Sequence, residues 1–268
     1  MRILLLLLLI ACSKTEVTFR RDLKTDTTQK MCFIGDMGDG SENQQKVADA
    51  LKNEMCHHVF VVGDVIYSKG IESVNDPLLQ ERFVKFYEPV ALSGNKPQFS
   101  IVLGNHDFAG NEDAWLDVPK KIPWVFYPNY YYLQKINSAC FVAMETDFYA
   151  GAFKFESLFQ KRWLETIQDQ MKDCELKVLF AHHPYLGKRP AKGWVKSVYE
   201  DSVVGKYNVV VSGHDHILAD LGKKDGTHFF ISGAGGQHVG GELGYLVLEL
   251  DYEKEKLSGH RTRFHVLE

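Results

Sequence analysis

Seven side chains able to bind metal ions or move protons follow closely on apolar runs: Asp36, Asp64, Asn105, His106, His182, His214 and His216. Taken singly, an aspartate in such a place is most simply a loop or helix cap, because Asp is common there. Taken together, the seven form a mixed set of imidazole nitrogens, carboxylates and an amide oxygen without thiolate. That donor chemistry suits Fe, Zn or Mn rather than a cysteine-rich structural zinc site, and there are too many donors for one tetrahedral ion.

The elements that must position these residues recur along the chain. The runs MCFI, VFVV, FSIV, CFVAM, KVLF, NVVV and FFIS each lead into polar or glycine-rich residues. Continuous runs of β-branched and aromatic residues predict strands buried on both faces. Polar residues at the carboxyl ends of strands in one sheet converge on a common edge, the usual place for a site in an open α/β fold. Between the runs, Ser41 can cap a helix carrying Val47, Ala48 and Leu51, and Phe155, Leu158, Phe159, Trp163, Ile167 and Met171 follow helical spacing. The stretch from Asn111 to Tyr132 is rich in Trp, Tyr and Pro, has no clean period and reads as a long functional or packing loop. The predicted class is α/β or mixed α+β. No Pro/Gly/Ser linker interrupts residues 30–268, which are therefore expected to form one catalytic domain.

With 268 residues, 45% hydrophobic and 25% charged, the chain has the balance of a globular protein. Its 31 basic against 35 acidic side chains leave no broad basic face, which argues against nucleic acid as partner. The N-terminus puts one positive charge before eight Leu or Ile residues, a run too short for the roughly 20 apolar residues of a bilayer crossing. This is the secretory pattern. The ending Leu9-Ile10-Ala11-Cys12 resembles the bacterial lipobox, which implies a signal peptide over 1–11, lipid on Cys12, and a lipidated N-terminus and polar tether over 12–29. The expected location is then extracytoplasmic, lipid-anchored to the bacterial cell envelope, and Ser13 would favour an outer membrane if the cell has one. The other reading is an ordinary cleaved signal with Cys12 incidental. Cys32, Cys56, Cys140 and Cys174 allow three disulfide pairings, Cys32 with Cys56 and Cys140 with Cys174 among them, or stay as buried thiols.

The blocks Gly35-Asp36-Met37-Gly38, Gly63-Asp64-Val65-Ile66-Tyr67, Gly104-Asn105-His106-Asp107, His182-His183-Pro184 and Gly213-His214-Asp215-His216 resemble, in order, the five blocks of the purple acid phosphatases, a branch of the calcineurin-like metallophosphoesterases. The resemblance spans about residues 31–236, with Ser232-Gly233-Ala234-Gly235-Gly236 similar to the glycine-rich strand end of the small, tartrate-resistant type. It implies a four-layered α/β/β/α sandwich of two packed mixed β-sheets. It also implies two metal ions: one held by Asp36, Tyr67 and His216, the other by Asn105, His182 and His214, with Asp64 bridging. Most metallophosphoesterases carry a histidine where this chain has Gly38, and Tyr67 is the compensating feature. A phenolate is a hard donor that favours trivalent iron. The expected cofactors are therefore Fe(III) at Asp36/Asp64/Tyr67/His216 and Fe(II), Zn or Mn at Asp64/Asn105/His182/His214. The competing reading of Tyr67 is a half-buried loop tyrosine.

Two cations about 3.5–4 Å apart bind phosphate oxygens and lower the pKa of bound water to give hydroxide, so the implied activity is hydrolysis of a small phosphomonoester. By resemblance His106 faces the substrate, with Asp107 as its partner. In the animal members a second histidine, thought to protonate the leaving group, lies nine residues after the equivalent of His182; here that position is Ala191. Lys188, Arg189 and Lys192 in the same loop are candidates for holding an anionic substrate. His183 is a second candidate near the chemistry, and His238 a weaker one for the missing acid. His57, His58, His228, His260 and His265 receive no role. The alternatives are a phosphodiesterase or nucleotidase with the same metals, and a metal-containing binding lipoprotein. A monomer is the simpler expectation.

Overall fold

A computed structural model describes residues 18–24, 28–149, 155–237 and 241–267. The apolar runs do become strands. In chain order these are β1 (Thr18–Arg21), β2 (Gln29–Ile34), β3 (His58–Val62), β4 (Gln98–Val102), β5 (Val125–Phe126), β6 (Tyr132–Ile136), β7 (Ala139–Met144), β8 (Leu176–Ala181), β9 (Val209–Ser212), β10 (Leu218–Lys224), β11 (Thr227–Ser232), β12 (Leu243–Glu253) and β13 (Lys256–Leu267). The helices are α1 (Glu42–Glu54), α2 (Lys85–Ala91), α3 (Val118–Lys121), α4 (Phe155–Gln170) and α5 (Gly193–Ser202). Ser41 caps α1 as the sequence predicts, its hydroxyl accepting the Gln44 N–H.

Two mixed sheets result, one of seven strands in the order β1-β6-β7-β8-β9-β11-β10 and one of six in the order β13-β12-β2-β3-β4-β5. In the first, β7, β8, β9 and β11 run parallel; in the second, β2 to β5 do. Alternation along β7 and β8 sorts side chains between two cores. Phe141, Val178 and Phe180 face the other sheet, whereas Cys140, Val142, Met144, Leu179 and Ala181 face outward. Between the sheets Phe60 packs on Phe141 at 4.5 Å and on Phe180 at 5.0 Å between ring centroids, contacts that add about 0.5–1.5 kcal/mol each beyond area burial. Leu164, Ile167, Val195, Val198 and Tyr199 of α4 and α5 cover the outer face of the seven-stranded sheet. Val47, Ala48 and Leu51 of α1 pack on the six-stranded one. The layers are therefore α/β/β/α.

Three local expectations change. Within the stretch read as a tether, Thr18–Arg21 is β1, paired in parallel with β6; four residues are too few for a period, and the partner lies over a hundred positions away. In α4 the buried stripe runs through Ser157, Gln160, Leu164 and Ile167, while Leu158 and Phe159 are exposed. The Asn111–Tyr132 loop holds α3 and β5, with Trp115 and Tyr127 buried in the main core. Cystines join Cys32 to Cys56 and Cys140 to Cys174, closing segments of 24 and 34 residues. By loop-closure entropy each contributes about 3–4 kcal/mol. No helix among the described residues is long and apolar enough to cross a membrane. The leader, Cys12 and His238 lie outside the described residues.

Candidate metal centre

The carboxyl ends of five strands meet at one end of the sandwich. Asp36 follows β2, Asp64 and Tyr67 follow β3, Asn105 follows β4, His182 comes directly after β8, and His214 and His216 follow β9. Every oxygen donor thus comes from the six-stranded sheet and every nitrogen donor from the seven-stranded sheet.

The backbone is bent sharply to present them. Asp36, Asp64 and His214 have φ of 56°, 49° and 67°, left-handed values that cost non-glycine residues energy and recur where function demands them. Cross-loop hydrogen bonds hold the bends, from Asp36 N to Gly63 O at 3.0 Å, from Met37 N to Asp64 O at 3.1 Å, and from His214 N to Asp36 Oδ2 at 2.9 Å. Gly63, at φ 89°, lies where a Cβ would stand 2.4 Å from Nδ1 of His182.

Two donor sets share Asp64. In the first, the Tyr67 hydroxyl is 2.8 Å from Asp64 Oδ2, 3.0 Å from Asp36 Oδ1 and 3.2 Å from His216 Nε2. In the second, Asn105 Oδ1 is 3.1 Å from His182 Nε2 and 3.0 Å from His214 Nδ1, and His182 Nε2 is 3.4 Å from Asp64 Oδ1. Asp36, Asp64 and His182 are almost wholly buried, and their donor atoms lie within 4.8 Å of one another.

This arrangement fits cations. Nδ1 of His182 lies 2.9 Å from the Val62 carbonyl and must donate there, which leaves Nε2 of the neutral ring an acceptor facing two further acceptors, Asn105 Oδ1 and Asp64 Oδ1. A positive charge among them reconciles the three. Burial disfavours a charged imidazole, yet Asp64 and Asp36 outweigh it and push His182 up to about 10; a cation meets the same demand. Burial and the neighbouring His182 push His214 down to about 4, the neutral form a ligand needs. Burial, Asp36 and Asp64 raise the Tyr67 phenol far above its ordinary range, so a phenolate there requires a cation.

Gly38 makes room for the loop that carries Tyr67. A Cβ at position 38 would lie 1.7 Å from the Val65 carbonyl oxygen, and the Gly38 carbonyl instead accepts the Tyr67 N–H at 2.8 Å. The β3 loop occupies the space of the missing side chain and brings Tyr67 to the centre.

Asp107 has a different partner from the one expected. Its buried carboxylate accepts the N–H groups of Val65, Ile66 and Gly104 at 3.0–3.1 Å, clasping the loop that carries Asp64 to the loop that carries Asn105. A carboxylate satisfied by three backbone donors is held away from the imidazole of His106. Burial and Asp64 push its carboxyl up to about 7. The half-buried His106 sets Nδ1 2.5 Å from the Ser68 carbonyl, its ring 4.5 Å from that of Tyr67, while its backbone N–H donates to Asp64. His183 bonds Thr146 through Nδ1 at 2.9 Å, and its ring lies tilted 4.5 Å from that of His214; burial and the adjacent histidines push it down to about 2.

Lys188, Arg189 and Lys192 are exposed on the rim. Asp215 fixes this loop, its buried carboxylate accepting the N–H groups of Lys188 at 2.6 Å and Arg189 at 3.0 Å and the Arg189 Nε at 3.1 Å. Ala191 is buried in the outer core beside α5. Sequence reasoning gave no role to Thr146, Gly38 or Asp215. Thr146 stands at the end of the CFVAM run, where a polar residue after a strand could have drawn attention; Asp215 lies inside the last block, between two assigned ligands. A cavity of about 670 Å³ lined by Leu79, Leu92 and Trp124 includes none of the donors.

The sequence pattern of the calcineurin-like phosphoesterases matches residues 30–218. Purple acid phosphatase 3 of Arabidopsis thaliana is 27% identical over 251 residues, 83% of this chain and 68% of that protein. Tartrate-resistant acid phosphatase type 5 of Oryctolagus cuniculus is 26% identical over 72% of this chain and 65% of its own. Among solved structures, GAP50 of Plasmodium aligns over 90% of both chains with a TM-score of 0.66 at 17% identity. The purple acid phosphatase PPD1 of yellow lupin aligns over 89% of this chain and 54% of its own with a TM-score of 0.54, also at 17% identity.

Proposed function

The chain belongs to the calcineurin-like phosphoesterases, and from that premise we propose that it hydrolyses phosphomonoesters at the centre built on Asp64, as an extracytoplasmic protein anchored by lipid on Cys12. One observation carries the reading: two sets of buried donors meet on one carboxylate, and the first includes a tyrosine hydroxyl within 3.2 Å of Asp36, Asp64 and His216. Asp36, Asp64, Tyr67 and His216 would hold one ion, with Fe(III) favoured by the tyrosine, and Asp64, Asn105, His182 and His214 a second, Fe(II), Zn or Mn. When bound, the pair supplies Lewis-acid activation of water and of the phosphoryl group.

The chain's own residues do the rest. The Val62 carbonyl keeps His182 in the tautomer that presents Nε2. His106 stands beside Tyr67 with Nδ1 committed to the Ser68 carbonyl, so that Nε2, when the ring is protonated, is placed to donate to a phosphoryl oxygen. Arg189, held through Nε by Asp215, turns the remaining edge of its guanidinium toward solvent at the rim, where it can take an anionic substrate. With Ala191 in the place of the family's second histidine, substrates with good leaving groups should be preferred. Two cystines agree with an oxidising compartment.

The test is hydrolysis of an aryl phosphomonoester by the metal-loaded chain beside Asp64→Ala prepared identically. Loss of at least about a hundredfold in the variant is expected, several kcal/mol of charge stabilisation being removed. Cleavage of an aryl phosphodiester but not of the monoester, with two metals bound, would overturn the monoesterase reading.

A further inference from the structure

The first described strand enters the fold from the end that carries the metal centre. β1 is parallel to β6, β6 is antiparallel to β7, and β7 to β9 run toward the donors. The register places Thr18 in line with Leu133, Val142 and Leu179, three positions before His182. Six Cα steps separate Cys12 from Thr18, which is at most about 20 Å of chain. A lipid on Cys12 would therefore hold this end of the molecule against its membrane.

The same end carries an exposed aromatic surface. Leu158, Phe159 and Trp194 are 43%, 60% and 44% exposed, in the N-terminal turns of α4 and α5, which follow the carboxyl ends of β7 and β8. Lys161 joins the two helices, its Nζ 5.9 Å from the Trp194 ring. Half-buried Trp163 continues the surface toward β1, its ring 4.8 Å from that of Tyr131, the residue before β6. The lysines at 161, 188, 192 and 196 border it, with Asp201 and Glu200 offsetting the first and last. Two indole rings with a polar edge beside apolar Leu158 and Phe159, flanked by lysines, match the headgroup region of an anionic bilayer, where each basic residue is worth about fivefold in binding.

We propose that the N-terminal turns of α4 and α5 lie on the anionic phospholipid surface to which Cys12 is tethered, with Phe159 and Trp194 at headgroup depth. The proposal rests on the reading of Cys12 as lipidated, and it is independent of the esterase chemistry. The docked face turns the rim of the metal centre toward the bilayer.

The full chain, isolated with its own lipid and reconstituted into phosphatidylcholine vesicles containing brominated phosphatidylglycerol, provides the test. The chain has four tryptophans, of which Trp115 is fully buried and Trp194 is strongly exposed. Bromolipid should quench the wild-type fluorescence, Trp194→Phe should lose most of that quenching, and Phe159→Ser should lose part of it. Leu92→Ser, on an exposed residue after α2, should change nothing. Equal quenching in wild type and Trp194→Phe, or none in either, overturns the proposed face. A Cys12→Ser chain that leaves the membrane fraction supports the anchor. One that stays there as firmly as wild type overturns the anchor, while the quenching still decides the face.

Discussion

Two clusters of buried charge in this molecule are built on opposite plans. At the C-terminal end of α1, Glu54 receives Lys30 at 2.7 Å, Arg263 at 2.5 Å and His265 at 3.0 Å. Burial alone would raise its carboxyl, but these hydrogen bonds prevail and hold it at about 2. At the carboxyl ends of the strands, Asp36 and Asp64 are buried as deeply, yet among the described residues neither accepts a hydrogen bond from Lys or Arg. They meet a phenol, backbone N–H groups and imidazoles. A buried carboxylate that finds its cation within the chain is a structural tie, whereas a buried pair without one is a receptor for a cation.

Chelation should separate the two most sharply. Stripping the metal-loaded chain should abolish hydrolysis and lower its thermal midpoint by the linkage of binding to folding, about 2.7 kcal/mol where the ion is a hundredfold above its dissociation constant. Asp64→Ala should show little midpoint response to metal. An identical midpoint for loaded and stripped wild type, measured by calorimetry, would erase the distinction.

Glu54→Gln should behave in the reverse way, costing about 2 kcal/mol in denaturant unfolding while leaving kcat unchanged, since its partners lose a largely buried charge. The sign with pH follows from the lowered carboxyl. With a folded value of about 2 against an ordinary 4.5, its stabilisation is complete above about 4.5 and fades as pH falls toward 2. The variant's stability should therefore fall less steeply than wild type across that interval, and parallel curves would show that Glu54 is not the group responsible.

Asp215 stands between the two plans, a buried carboxylate whose arginine also borders the metal centre. Asp215→Asn should raise KM for a phosphomonoester about tenfold, roughly 1.4 kcal/mol of lost orientation, with kcat within a factor of two or so. A fall in kcat at unchanged KM would instead place Asp215 in the chemistry.

Much of this was legible in the sequence because it is local. A run such as VFVV followed at once by Gly63 and Asp64 encodes a buried strand and the residue at its end within seven positions, and five such units imply an edge where their ends meet. What was not legible depends on partners remote in the chain. Thr18–Arg21 is a strand only because β6 is there to pair with it. Leu158 and Phe159 fit a helical period yet face outward, because Gln160 turns inward to bond the backbone of Glu145. Asp107 looked like a partner of its neighbour His106, but the backbone N–H groups whose bonds it accepts lie some forty residues earlier.

The division of donors between the sheets gives the metal a mechanical meaning. Each cystine closes within one sheet, Cys32–Cys56 tying β2 to the residues before β3 and Cys140–Cys174 tying β7 to those before β8. Oxygens from one sheet and nitrogens from the other would make a bound cation the cross-link that the disulfides leave out, joining Asp36 to His216 across 180 positions of chain. Turnover at such a centre would then double as a gauge of sheet docking, because a slip between the halves that costs little stability would part the donors before it unfolds anything.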